Sequence, residues 1–214
     1  MRHFSRIASI FFLCITVAGG ANAASITPGS FTADAVEDYE ATPGGNANLT
    51  SLFGGTVSVM PSSNDHRSVD AGDWTDFRTG GAIVPSSGNR FGTIFGFSGF
   101  QLDFTGLGGI FGFGGFASAA GQGNDVIEFF DLGGNLVDTF TETGGFGPGN
   151  GTMVEFSFVS DMAIGLIRLS GPETAFDDLA IATSSTQPIP LPAGIILLLT
   201  GLGALGLARR RASA

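Results

Sequence analysis

The chain has 214 residues with nine arginines, no lysine and nineteen acids, a formal charge of −10. All nineteen acids lie between residues 24 and 183, where they face four arginines (Arg67, Arg78, Arg90, Arg168), an excess of fifteen negative charges. That balance excludes nucleic acid and anionic lipid as natural partners of this region, since both demand basic patches, and it permits cations.

The N-terminus reads as a secretory leader. Arg2, His3 and Arg6 give a basic start and Ile7–Val17 an apolar core too short to span a membrane. Ala21-Asn22-Ala23 is a small-x-small cleavage site, so residues 1–23 are predicted to be removed. Cys14, the only cysteine, lies inside this leader, which leaves the mature chain without disulfides.

Residues 24–183 are long enough for one domain with its own core. No convincing helical period appears there; short alternating runs recur about every ten residues. Strands are predicted at Thr56–Met60 and at Ile94–Phe104 (Phe95 and Phe97, then Phe100, Leu102 and Phe104, with a break at Ser98-Gly99); the glycine-rich stretch Gly106–Gly115 fits either a flexible loop or a strand where backbones approach closely, and a strand at Ile110–Ala117 is the favoured reading. Val126–Phe130 and Leu136–Thr141 flank Asp131-Leu132-Gly133-Gly134-Asn135, a hairpin signal in which Gly and Asn supply positive φ. Met153–Phe158, Ile164–Leu169 and Phe176–Ile181 complete the set, and Gly144–Gly151 reads as a loop. The expected fold is all-β, an antiparallel sandwich or jelly roll.

Residues 184–188 read as a linker to a tripartite tail. Ile189-Pro190-Leu191-Pro192-Ala193 is held extended by its prolines. Ala193–Ala208 is an apolar run with two Ile and six Leu. As a helix it would reach about 24 Å, a marginal fit to a hydrocarbon core of about 30 Å. Arg209-Arg210-Arg211 then stays cytoplasmic by the positive-inside rule. The two ends agree on one topology, with the bulk of the chain outside.

Residues 189–211 resemble the PEP-CTERM sorting signal in its Val-Pro-Leu-Pro-Ala variant, with Ile189 in place of the first Val. The resemblance implies a Gram-negative bacterial protein that passes the export machinery, is tethered in the inner membrane by its C-terminal helix, and is released by an exosortase-like enzyme to the cell surface or beyond. Residues 126–181 also resemble the cargo domains found with this signal, through Phe129-Phe130-Asp131, Gly133-Gly134-Asn135, Phe140, Phe158, Ile167-Arg168-Leu169 and Phe176-Asp177-Asp178-Leu179. Such domains look like lectin-type or carbohydrate-binding jelly rolls, which implies extracellular polysaccharide as a partner.

No residues read as catalytic. His66, the one histidine of the mature region, sits in the polar run Ser62–Ser68 and is expected in an exposed loop, without a nucleophile elbow around any serine. Glu37, Asp38 and Glu40 near the mature N-terminus and Asp177 and Asp178 in the last strand are the candidate metal set. First and last strands of a jelly roll are commonly neighbours, and calcium is the hard cation such carboxylates would take; solvated acids on strand faces are the plainer reading. Asp70, Asp73 and Asp76 read as a surface loop, and Trp74 with Phe77 as core rather than a sugar platform. The function expected from all this is a non-catalytic exported surface or matrix protein that binds polysaccharide. A secreted polymer hydrolase is the alternative, although nineteen acids make some carboxylate pair inevitable.

Overall fold

The computed structural model describes residues 25–61, 66–76, 78–94, 99–119, 121 and 123–185. The leader, the sorting motif, the apolar run to Ala208, Arg209–Arg211, and Phe77, Phe95 and Phe97 lie outside the described residues. Among the described residues no helix is long and apolar enough to cross a membrane.

The described chain forms thirteen strands and two short 3-10 turns. In order these are β1 (Ile26–Pro28), β2 (Ala35–Glu37), β3 (Ala47–Asn48), β4 (Ser51–Leu52), β5 (Val57–Pro61), β6 (His66–Asp70) and β7 (Arg90–Ile94). There follow β8 (Gly99–Asp103), β9 (Ile110–Ala119), β10 (Asp125–Asp131), β11 (Leu136–Glu142), β12 (Val154–Ser170) and β13 (Thr174–Ala182). All the strands join one sheet along β3-β6-β7-β13-β9-β12-β8-β5-β4, with β1 and β10 also on β12, β11 on β10 and β2 on β13. Every pairing of these strands is antiparallel.

The sheet curls because β12 serves two neighbourhoods. Its first part, Val154–Val159, pairs with β9, and Phe158–Ser160 pairs with β1. Its last part, Leu166–Ser170, lies between β8 and β10. Between them Ser160 Oγ donates to the Met162 carbonyl and accepts from the Met162 amide, an irregularity that marks the change of neighbours. The two strands predicted at 153–158 and 164–169 are therefore one strand of 17 residues. Val159-Ser160-Asp161-Met162-Ala163 holds the turn formers Ser160 and Asp161 but no Gly or Pro, and the backbone bends there without reversing.

The curl encloses one aromatic core. Phe113, Phe156, Phe158 and Phe176 come from one half of the sheet, Phe100, Leu102, Phe129 and Ile167 from the other, and all belong to one buried cluster. Ring pairs join the halves: Phe129 with Phe158 at 5.3 Å and Phe100 with Phe176 at 6.0 Å between centroids. Each such buried phenylalanine contributes about 1.5–3 kcal/mol. The chain has a single cysteine, Cys14, so no disulfide can form within it and packing of this kind must hold the fold.

The hairpin forms as expected, with β10 and β11 paired from Asp125↔Glu142 to Phe129↔Asp138. Gly134 takes positive φ (79°), whereas Asn135 does not. Asn135 acts through its side chain instead, donating to the Asp131 carboxylate at 2.9 Å while its amide does so at 2.8 Å. These bonds hold Asp131 below the usual carboxylate range.

Candidate functional site

Strand alternation gives β9 two faces. Phe113 and Ala117 enter the core. The opposite face presents Gly112, Gly114 and Phe116, and the register extends these into rows across three strands. Glu155, Phe116 and Asp177 form one row; Ser157, Gly114 and Ala180 form the next. Two open clefts lie on this outer face. One of about 140 Å³ touches Ser30, Phe31, Glu155 and Ser157; the other, of about 460 Å³, touches Val84, Ser86, Thr152 and Met153. Both include Phe116 and Asp178, so they adjoin as one trough.

One wall of the trough is a strap. β1 lies on β12 and β2 on β13, so residues 29–34 must cross β12, β9 and β13. Four inter-strand steps need roughly 19 Å, within reach of the extended chain from Pro28 to Ala35. The strap is tied at both ends. Gly29 N–H donates to the Ser157 carbonyl at 3.1 Å and Asp34 N–H to the Ile181 carbonyl at 2.8 Å. The amide and hydroxyl of Thr183 both donate to the Asp34 carboxylate. In the middle Phe31 rests on Gly112, where a Cβ would stand 2.6 Å from the ring. The sequence leaves a gap in β9 and fills it with a ring from elsewhere.

The other wall is the segment 82–87. Trp74 and Ile83 pack on the outer face with Val69, Phe91, Met153 and Ala175, and Phe116 borders this second cluster. Ile83 N–H donates to the Trp74 carbonyl at 3.0 Å, and Val84 N–H to Gly151 at 3.1 Å. Trp74 is buried, in keeping with the core reading. Asp76, expected at the surface, is fully enclosed and paired with Arg78 at 2.9 Å. Arg78 also donates to the carbonyls of Ala119, Gly144 and Phe146, clamping this segment to the end of β9. Burial pushes the Asp76 carboxyl up, but the bonds and charge of Arg78 outweigh it and hold the group low.

Asp177 and Asp178 sit where β13 bulges, the register shifting between Asp177 and Ala180. Gly115 faces the bulge at φ 152°, and a Cβ there would meet the carbonyls of both aspartates at about 3 Å. Asp178 takes φ 45°, a left-handed position that Asp tolerates better than most residues. Ser86 Oγ lies 2.8 Å from an oxygen of each carboxylate, with one proton to share between them; Ser87 Oγ donates to Asp178 at 2.8 Å and Ser87 N–H to Asp177 at 3.1 Å. Asp177 is fully enclosed, and that burial raises its carboxyl to about 6 against the pull of the serine bonds; the neighbouring Asp178 charge adds to the rise.

The other candidate acids find separate tasks. β2 does lie beside β13, with Glu37 opposite Leu179. Yet the Glu37 carboxylate accepts the backbone N–H groups of Tyr39 and Phe53. Glu40 accepts those of Asn89 and Arg90 at 2.6 and 2.7 Å, and exposed Asp38 accepts that of Glu40 at 3.1 Å. Among the described residues no group of three or more His, Cys, Asp or Glu is placed to hold a metal ion. The five acids proposed for calcium thus cap backbone turns and serine hydroxyls.

His66 corrects the expectation of an exposed loop. It begins β6, is 1% exposed, and stacks on Phe100 with centroids 3.9 Å apart. Nδ1–H donates to the Thr93 carbonyl at 3.1 Å, so in the neutral ring Nε2 accepts the hydroxyl of buried Tyr39 at 3.1 Å. Burial pulls the imidazole down to about 3, against the weaker opposing pull of Thr93. The polar run around it hid this because the apolar partners, Tyr39 and Phe100, are distant in sequence. Phe116 and Glu155 were likewise not marked as site residues; the glycine run beside Phe116 was the one sign of an unusual face.

The described chain is a curled antiparallel β protein with an outer trough. No protein-family model matches it, and no curated protein does. Among solved structures it is similar to the CBM22-1–GH10 modules of the N-terminal endo-1,4-β-D-xylanase 10B of Clostridium thermocellum, complexed with xylohexaose. Identity is 13% and the TM-score 0.41, over 70% of this chain and 28% of that one. The chain spans little more than a quarter of that protein, and a likeness this distant carries no inference about ligand or activity.

Proposed function

We propose that this is an exported bacterial surface or extracellular-matrix protein, non-catalytic, whose β domain holds polysaccharide along the outer trough. The observation that supports the reading is the trough itself, an elongated open depression with a partly exposed aromatic ring, Phe116, between hydroxyl and carboxylate groups. A sugar chain offers apolar ring faces and many hydroxyls. An aromatic surface with a few placed polar groups is the usual match for such a ligand.

Export and sorting rest on the sequence: the leader ending at Ala23, the motif Ile189–Ala193, and Arg209–Arg211 beyond the apolar run. An exosortase-like enzyme is the processing partner this tail would need. Against the hydrolase alternative, both ring nitrogens of His66 are engaged in the interior, and the carboxyl of Asp177 is enclosed beneath Ser86 and Ser87. Neither group can reach a polymer on the surface.

The test is a glycan array probed with the mature domain and with Phe116→Ala, alongside an assay for new reducing ends. Retention of a polysaccharide by the parent, weakened in the variant and without chain cleavage, is the expected result. Cleavage would support the hydrolase instead, and no retention would remove the binding role. Intact-mass analysis from the native host checks the sorting reading: loss of residues 1–23 and of the tail is expected, and an unprocessed chain in the cytosol contradicts it.

A further inference from the structure

We infer that the trough selects glycans bearing free amino groups, a cationic oligosaccharide over a neutral or acidic one; this rests on the reading of the trough as a glycan site. The chemistry of its floor carries the inference. Glu155 on β12 and Phe116 on β9 are register partners, and the Asp177–Asp178 bulge of β13 continues the row on the other side of the ring. Two inter-strand steps, about 10 Å, separate the outer members of this row. An aromatic ring flanked by carboxylates is the arrangement that receives an ammonium group, through the ring's negative face and charge-assisted hydrogen bonds.

Among the described residues, no cationic side chain lines this floor. Arg78, Arg90 and Arg168 are committed to Asp76, Asp70 and Glu128, and neither cleft is lined by an arginine. The chain has no lysine. An acidic polysaccharide laid in the trough would meet like charge. A neutral one would cover Glu155 and Asp178 without a counter-charge, which costs free energy unless each is bonded in return. A chain with amines supplies the missing cation. Asp178 is suited to this role, since its carboxylate is already fixed by Ser86 and Ser87 and is only half-buried.

The experiment titrates the mature domain with three hexasaccharides at one fixed, moderate ionic strength, below neutral pH so that amines are charged. The three are a glucosamine oligomer, its N-acetylated form and a uronic-acid oligomer. The parent is compared with Glu155→Gln, Asp178→Asn and the control Asp138→Asn, an exposed acid on β11. The glucosamine oligomer is expected to bind tightest. Glu155→Gln and Asp178→Asn should each lose about tenfold, and Asp138→Asn almost nothing. Both test substitutions keep shape, and Asn tolerates the left-handed backbone at residue 178. An equal loss in Asp138→Asn would mean diffuse attraction to an acidic protein and overturn the inference. Equal or tighter binding of the acetylated or acidic oligomer would overturn the amine preference while leaving polysaccharide binding intact. Binding of none of the three, where the array has found a retained polysaccharide, also overturns the preference. An empty array as well removes the broader reading with it.

Discussion

The two faces of β9 differ in what they ask of their neighbours. Inside, Phe113 and Ala117 meet Phe156, Phe158 and Phe176 in a sealed core where every ring has aromatic or aliphatic partners. Outside, Gly112 and Gly114 present no side chain, and the surface is finished by pieces from far along the sequence: Phe31 from the strap, Val84 and Ser86 from the 82–87 segment. The inner face is filled by the strands themselves. The outer face is assembled, and the seam between its two covers is the trough. The larger aromatic core therefore lies on one face, and the open trough, bordered by the smaller Trp74–Ile83 cluster, on the other.

That division can be broken experimentally. Phe100→Ala should have the largest effect, about 3–5 kcal/mol in urea unfolding, since Phe100 is fully buried between His66 and Phe176. A loss below about 1 kcal/mol would show that the inner face does not carry the fold. Gly112→Ala, on the outer face, should cost about 1–3 kcal/mol, because the new Cβ forces Phe31 off β9. Adding Phe31→Ala to it should recover part of that cost.

The pH profile tests the buried groups next. His66, held down to about 3, stays neutral in the fold while the unfolded chain takes up a proton near 6.5, so stability falls as pH drops below 6.5. Asp177 acts in the opposite sense. Its raised value, about 6 against 3.8, makes its contribution full at low pH and lost as pH rises through 6. Between about pH 6 and 4 the two offset each other. Asp177→Asn should steepen the loss of stability on acidification in that window by about 1.4 kcal/mol per pH unit; an unchanged slope would mean that Asp177 is ionised in the fold. The smallest effect is expected at Leu136, 55% exposed on β11, where Leu136→Thr should stay within about 0.5 kcal/mol.

Much of the inner face was legible. Phe100, Leu102 and Phe104 alternate in the sequence and are all fully buried, and the two strands predicted around Gly133-Gly134 do pair as a hairpin. Local period carries such information because each strand places its own residues. What could not be read depends on contacts distant in sequence. His66 looks solvated beside Asn64, Asp65 and Arg67, yet it is enclosed by Tyr39, Phe100 and Thr93. Glu37 does lie on the strand beside Asp177 and Asp178, but its carboxylate accepts the amides of Tyr39 and Phe53, that of Glu40 accepts those of Asn89 and Arg90, and Asp177 is enclosed under Ser86 and Ser87. Residue type gave the charge and could not give the partner. The trough was invisible for the same reason, since its walls are short irregular segments whose positions are set by the strands they cross.

The most direct test of the division between faces is amide chemical-shift mapping of residues 24–183 with a polysaccharide fragment retained on the array. Shifts should concentrate at Ser30, Phe31, Phe116, Glu155 and Asp178, leaving Phe100 and Phe158 unmoved. Shifts centred on another surface, with the residues of the trough silent, would contradict the account.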